Sequence, residues 1–63
     1  MRNTLARFID YYNADKIQII CGKHLINIDC KVEGSLFIVR HFENTKFYFK
    51  SFENGLLIVS TNE

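Results

Sequence analysis

KIQIICGKHLINIDCKVEGSLFIVRHF, residues 16–42, carries apolar side chains at Ile17, Ile19 and Cys21, then at Ile26, Ile28, Cys30 and Val32, then at Phe37 and Val39. A period of two sustained over that length marks strands with one buried face. Two short interruptions divide the run. Gly22-Lys23 suits a two-residue hairpin whose first central residue needs φ > 0, and Glu33-Gly34 reads as a similar loop. The resulting strands are Lys16–Cys21, His24–Val32 and Ser35–Phe42.

The turns and the alternation can be checked against each other. A loop at 22–23 sets Cys21 opposite His24, Ile19 opposite Ile26, Ile17 opposite Ile28 and Asp15 opposite Cys30. A loop at 33–34 sets Cys30 opposite Phe37, Ile28 opposite Val39 and Ile26 opposite His41. The alternating apolar residues then share one face, and a slip of one residue scatters them.

Outward from this frame, residues 3–13 repeat apolar positions at Leu5, Phe8, Ile9 and Tyr12, the spacing of an amphipathic helix, with Asn3 or Thr4 as its cap. A helix so short is marginal alone and must dock on the sheet. Beyond Glu43-Asn44-Thr45, strands are expected at Lys46–Phe52 and Leu56–Ser60. Asn54-Gly55 suits either a two-residue loop or a three-residue loop Glu53-Asn54-Gly55 with Gly55 left-handed in a bulge. The three-residue loop is preferred because it keeps Phe47, Phe49, Leu57 and Val59 on the core face. Residues 61–63 read as a frayed tail. The expected fold is α+β: one domain, 1–63, with a short N-terminal helix packed on a five-stranded antiparallel meander that stays open or curls toward a small barrel.

A chain of 63 residues buries only about 60% of its unfolded surface, so its core is thin and a second copy or a partner would supplement it. The formal charge of +1 gives no general pull toward nucleic acid or acidic membranes. Residues 1–15 carry charges throughout and lack the apolar run of a signal peptide, and no segment is long enough to span a bilayer. Two cysteines about six residues apart along a ladder do not form a scaffold disulfide. These features imply a reducing, cytoplasmic setting. The lack of Pro and Trp beside many Ile, Asn, Lys and Phe is compatible with an AT-rich bacterial, phage or mobile-element gene.

The second face of the expected sheet collects Ile20, Leu25, Leu36, Ile38, Phe42, Tyr48, Phe52, Leu56 and Ile58, with Arg40 and Lys50 among them. Barrel closure would bury these residues. Left open, so much apolar surface marks an association site. The expected function is therefore stoichiometric binding of a protein partner, or of itself as a homodimer, through Ile38, Arg40, Phe42, Tyr48, Lys50 and Phe52. The alternative is single-stranded nucleic acid stacked on the basic-aromatic run Lys46-Phe47-Tyr48-Phe49-Lys50-Ser51-Phe52.

No catalytic residue, cofactor, small-molecule substrate or membrane contact is expected. The chain offers no paired carboxylates, phosphate-binding glycine loop or Ser/His/Asp set. The expectation for metal is likewise none. The one constellation with ligand chemistry is Cys21, His24, His41 and Glu43, which the two hairpin registers would gather at one end of a face, and its spacing matches no recognised zinc pattern.

Overall fold

The computed structural model describes residues 2–32 and 40–62. In chain order the elements are β1 (Arg2–Thr4), α1 (Leu5–Tyr12), β2 (Lys16–Cys21), β3 (His24–Asp29), β4 (Lys46–Glu53) and β5 (Leu56–Ser60). One short helix covers one face of a five-stranded sheet, so the class is α+β.

The first hairpin forms as its alternation dictates. Cys21 pairs with His24, Ile19 with Ile26 and Ile17 with Ile28, and Gly22 takes φ +61° in the turn. Strand β3 stops at Asp29 rather than at Val32. There the Asp29 carboxylate accepts the Lys31 N–H (3.0 Å) and its carbonyl accepts the Val32 N–H (3.1 Å), folding the chain into a turn. The ladder still keeps its last rung, because the Cys30 N–H donates to the Asp15 carbonyl (2.9 Å).

The antiparallel meander is overturned. The strand order is β1-β4-β5-β2-β3, and β2 runs parallel to β5 while every other pair is antiparallel. Leu56-Leu57-Ile58-Val59 explains the difference: four successive apolar residues suit a central strand flanked on both sides, and a meander would have left them on an edge. The sheet is open, because barrel closure would require β1 to pair with β3 and these are its two edges. Strands β3 and β4 are separated in the sheet by β2 and β5, and residues 30–45 between them are of the length that a connection between parallel strands needs.

Of the expected third strand, Ser35–Val39 and the Glu33-Gly34 loop lie outside the described residues. Its end is corrected. Arg40 and His41 are helical and Phe42–Asn44 form a turn, in which Glu43 N–H donates to the Arg40 carbonyl (3.2 Å) and Thr45 N–H to that of Phe42 (3.0 Å). His41 is thus not a strand partner of Ile26.

The N-terminal residues also divide differently. Arg2–Thr4 pair with Tyr48, Phe47 and Lys46 as a strand before the helix begins. Thr4 is the helix cap by backbone geometry alone, with no side-chain hydrogen bond. Asn13 closes α1 in the left-handed region (φ +51°), its N–H donating to the Ile9 carbonyl (2.8 Å).

The second hairpin places its extra residue where the turn does not. Glu53 pairs with Leu56 across a two-residue loop in which Asn54 and Gly55 both have positive φ. A regular ladder would then put Phe47 and Phe49 on the face opposite Leu57 and Val59. A β-bulge between Phe49 and Ser51 restores the parity, so Phe49 pairs with Val59 and Phe52 with Leu57. The core rows become Phe49–Val59–Ile19–Ile26 and Phe52–Leu57–Ile17–Ile28. Leu5 and Phe8 of α1 and Phe47 of β4 close over them, all buried.

Asp15 ties three segments together at the start of β2. Its N–H and that of Lys16 donate to the Gly55 carbonyl (2.9 and 3.1 Å), its own carbonyl accepts from Cys30, and its carboxylate meets Lys31 Nζ at 3.2 Å. The tail beyond β5 is held rather than frayed through Asn62: Thr61 N–H donates to the Ile20 carbonyl and Asn62 N–H to Ser60 Oγ.

Candidate functional site

Two surfaces carry the exposed large apolar side chains of the described residues, apart from Val32 in the turn after β3. The first is the outer face of the sheet. Alternation turns every second residue away from α1, and the strand registers assemble these into rows. Tyr48, Ser60, Ile20 and Leu25 form one row, Ser51, Ile58, Gln18 and Asn27 the next, and Glu53, Leu56, Lys16 and Asp29 the third. Leu25 is 62% exposed and Leu56 37%, while Ile20, Tyr48 and Ile58 are half-buried. Gln18 Nε2 donates to Asn27 Oδ1 (3.3 Å) beside them. The result is a small apolar centre with a polar rim.

The second surface lies on the helix side. Tyr12 stacks on Phe49 (5.2 Å between centroids) and leans on Phe52 (5.0 Å), while Tyr11 meets Tyr12 edge-on (4.8 Å). Tyr11 is 75% exposed and Phe49 and Phe52 just over a third. Beside this ledge a groove of about 720 Å³ is lined by Asn3, Arg7, Phe8, Asp10, Tyr11 and Tyr12. The sequence-level signal for the ledge was present in Tyr11-Tyr12 and in the parity conflict along β4. A three-residue turn would place Phe52 on the outer face, whereas the bulge in β4 leaves it facing α1.

The six residues expected to bind a partner do not share one surface. Tyr48 is on the outer face. Phe52 faces α1 and joins the ledge. Phe42 is half-buried against the core, its ring 5.7 Å from that of Phe47. Arg40 is exposed in the helical turn, and Lys50 is exposed at the bulge. Ile38 lies outside the described residues, as does Leu36.

The hypothetical metal set is not assembled. Cys21 and His24 are cross-strand neighbours, but His41 sits in the helical turn with its ring against Phe42 (5.0 Å), and Glu43 lies in the turn beyond. Among the described residues no group of three or more His, Cys, Asp and Glu is arranged to hold a metal ion.

Both cysteines are free thiols. Burial pushes the Cys30 thiol above its ordinary pKa, and the Asp29 and Asp15 carboxylates push it further by disfavouring a nearby negative charge. The thiolate is the reactive form, so Cys30 is expected to alkylate more slowly than free cysteine at pH 8, with a rate midpoint above that of an ordinary thiol. Iodoacetamide labelling followed by mass spectrometry of the Cys30 peptide measures this, and a midpoint at or below that of free cysteine would contradict the assignment.

No helix among the described residues is long and apolar enough to cross a membrane. The chain matches no known family model, no curated protein and no solved structure.

Proposed function

We propose that the protein is a non-enzymatic association module that binds a protein partner through the outer face of its sheet. The observation that carries this reading is the juxtaposition of Tyr48, Ile20, Leu25 and Ile58 on that face, while α1 and Phe42 both pack on the opposite one. An apolar centre rimmed by Lys16, Asp29, Glu53, Gln18 and Asn27 has the anatomy of a small transient interface. Arg40 and Phe42, on the crossover, are not part of this surface in the proposal, and Tyr48 is retained from the expected set.

The test is capture of the partner by the full chain, followed by titration with wild type and with Leu25→Glu/Ile58→Ser. The double variant is expected to stay folded by circular dichroism, because Leu25 is exposed and Ile58 half-buried. It should lose binding by at least about tenfold. Undiminished binding by the folded variant removes this face from consideration. The single-strand nucleic-acid alternative uses Lys46 and Tyr48, which alternate onto the same face. It predicts affinity that falls steeply with salt, whereas the protein-partner reading predicts a weak salt dependence.

A further inference from the structure

We propose that the solvent side of α1 is a self-association surface, on which a second copy packs its own α1 antiparallel, Arg7 of each copy facing Asp10 of the other. The helix buries Leu5 and Phe8 inward and turns Ala6, Arg7, Asp10 and Tyr11 outward. Arg7 and Asp10 stand one turn apart on that outward side. Neither forms an ion pair within the described residues, where Lys31–Asp15 is the one salt bridge.

Their order along the helix is the informative feature. Arg7 lies toward the N-terminal, positive end of the helix dipole and Asp10 toward the negative end, with no acidic residue in the first turn and no basic residue in the last. Each charge is therefore at the end that disfavours it. Such a violation of a local rule, with no ion pair among the described residues to offset it, points to a requirement outside the chain. Antiparallel packing supplies the compensation twice over. A twofold axis midway between residues 8 and 9 brings Arg7 level with the second copy's Asp10 and sets the two helix dipoles head to tail.

The surroundings fit a second copy of this chain. A twofold axis keeps each flank of the helix against the same flank of its mate, so the exposed Tyr11 ring of one copy falls beside Arg7 and Phe8 of the other. Those residues line the 720 Å³ groove, which has room for a tyrosine ring. The neighbouring Phe49 and Phe52 extend the apolar area. A standard interface takes roughly 800 Å² per partner, about a sixth of the 4658 Å² surface of this chain. With a formal charge of +1, two copies repel each other little.

This surface lies on the opposite side of the sheet from the proposed partner face, so the two proposals stand or fall separately. The test is sedimentation equilibrium of the full chain from micromolar to millimolar concentration, with Arg7→Asp, Asp10→Arg and the double exchange. The wild type should pass from monomer to dimer. Each single variant should weaken dimerisation by about tenfold or more, and the double exchange should restore it. Each single change places a charge at the end of the helix dipole that favours it but sets two like charges one turn apart, effects of similar size. Circular dichroism should therefore show each monomer about as well folded as wild type. Leu25→Glu, on the outer face, should leave the dimer unchanged. A chain that stays monomeric throughout overturns the proposal. So does a dimer indifferent to both single changes, a double exchange that fails to restore it, or a dimer lost in Leu25→Glu.

Discussion

Phe47→Ala is expected to lower the unfolding free energy by about 3–5 kcal/mol, the range for emptying a fully buried aromatic site. Phe47 is 0% exposed and packs edge-on against Phe42. It also stands opposite Asn3 on β1, so one ring joins the edge strand, the core and the crossover that brings β3 to β4. Domains carry roughly 0.05–0.15 kcal/mol of stability per residue. For a chain of this length, that single loss is comparable to the whole. Phe49→Ala is the control: its ring is over a third exposed and stacks on Tyr12, a contact worth about 0.5–1.5 kcal/mol beyond its area. Urea denaturation followed by circular dichroism compares the two. A Phe47→Ala protein within about 1 kcal/mol of wild type would mean that Phe42 and Phe47 do not seal the inner face.

Gly55→Ala is the second large effect, and its cause is different. Gly55 holds φ +82° in the β4–β5 turn, a conformation that costs a residue with a Cβ about 1–2 kcal/mol. A Cβ there would also stand 2.8 Å from Asp15 Oδ2, so the carboxylate must move. The Gly55 carbonyl accepts from the Asp15 and Lys16 N–H groups, so the displacement is felt where β2 begins. The Lys31–Asp15 pair contributes little to this sum, since both side chains are more than half exposed. Gly22→Ala isolates the backbone part: φ there is +61° and a Cβ meets nothing within 4 Å. Thermal melts should show Gly55→Ala the more destabilised of the two, and Asp15→Ala should bring the cost of Gly55→Ala down to that of Gly22→Ala. Equal losses at the two glycines would show that Asp15 is no obstacle.

The contrast between these two sites follows how the fold is encoded. The β2–β3 ladder and the position of the second hairpin, though not its full register, could be read from a few neighbouring residues. Ile17, Ile19, Ile26 and Ile28 alternate around a glycine turn, and Asn54-Gly55 marks the other hairpin without reference to the rest of the chain. The inward residues of α1 were legible for the same reason, because Leu5, Phe8, Ile9 and Tyr12 recur at helical spacing. Strand β1 was not, since three residues, Arg-Asn-Thr, are too few to show a period.

The candidate surfaces were legible only in part. Tyr48, Ile20, Leu25, Leu56 and Ile58 were assigned to the outer face and lie there. Alternation groups Phe52 and Phe42 with them, yet both lie on the inner side. For Phe52 the cause is one bulge, which reverses the face of every residue on one side of it.

Alternation and turn chemistry act between residues close in the chain, so they locate both hairpins and define the β2–β3 register, but not the short β1 or the bulge that turns Phe52 inward. The order of the hairpins is a long-range matter. Strand β5 sits between β4 and β2, parallel to β2, because Leu56-Leu57-Ile58-Val59 suits a strand flanked on both edges, and no local pattern states which strands flank it. That one choice puts two strands between β3 and β4, opens the sheet, and leaves the outer rows and the α1 ledge as separate surfaces.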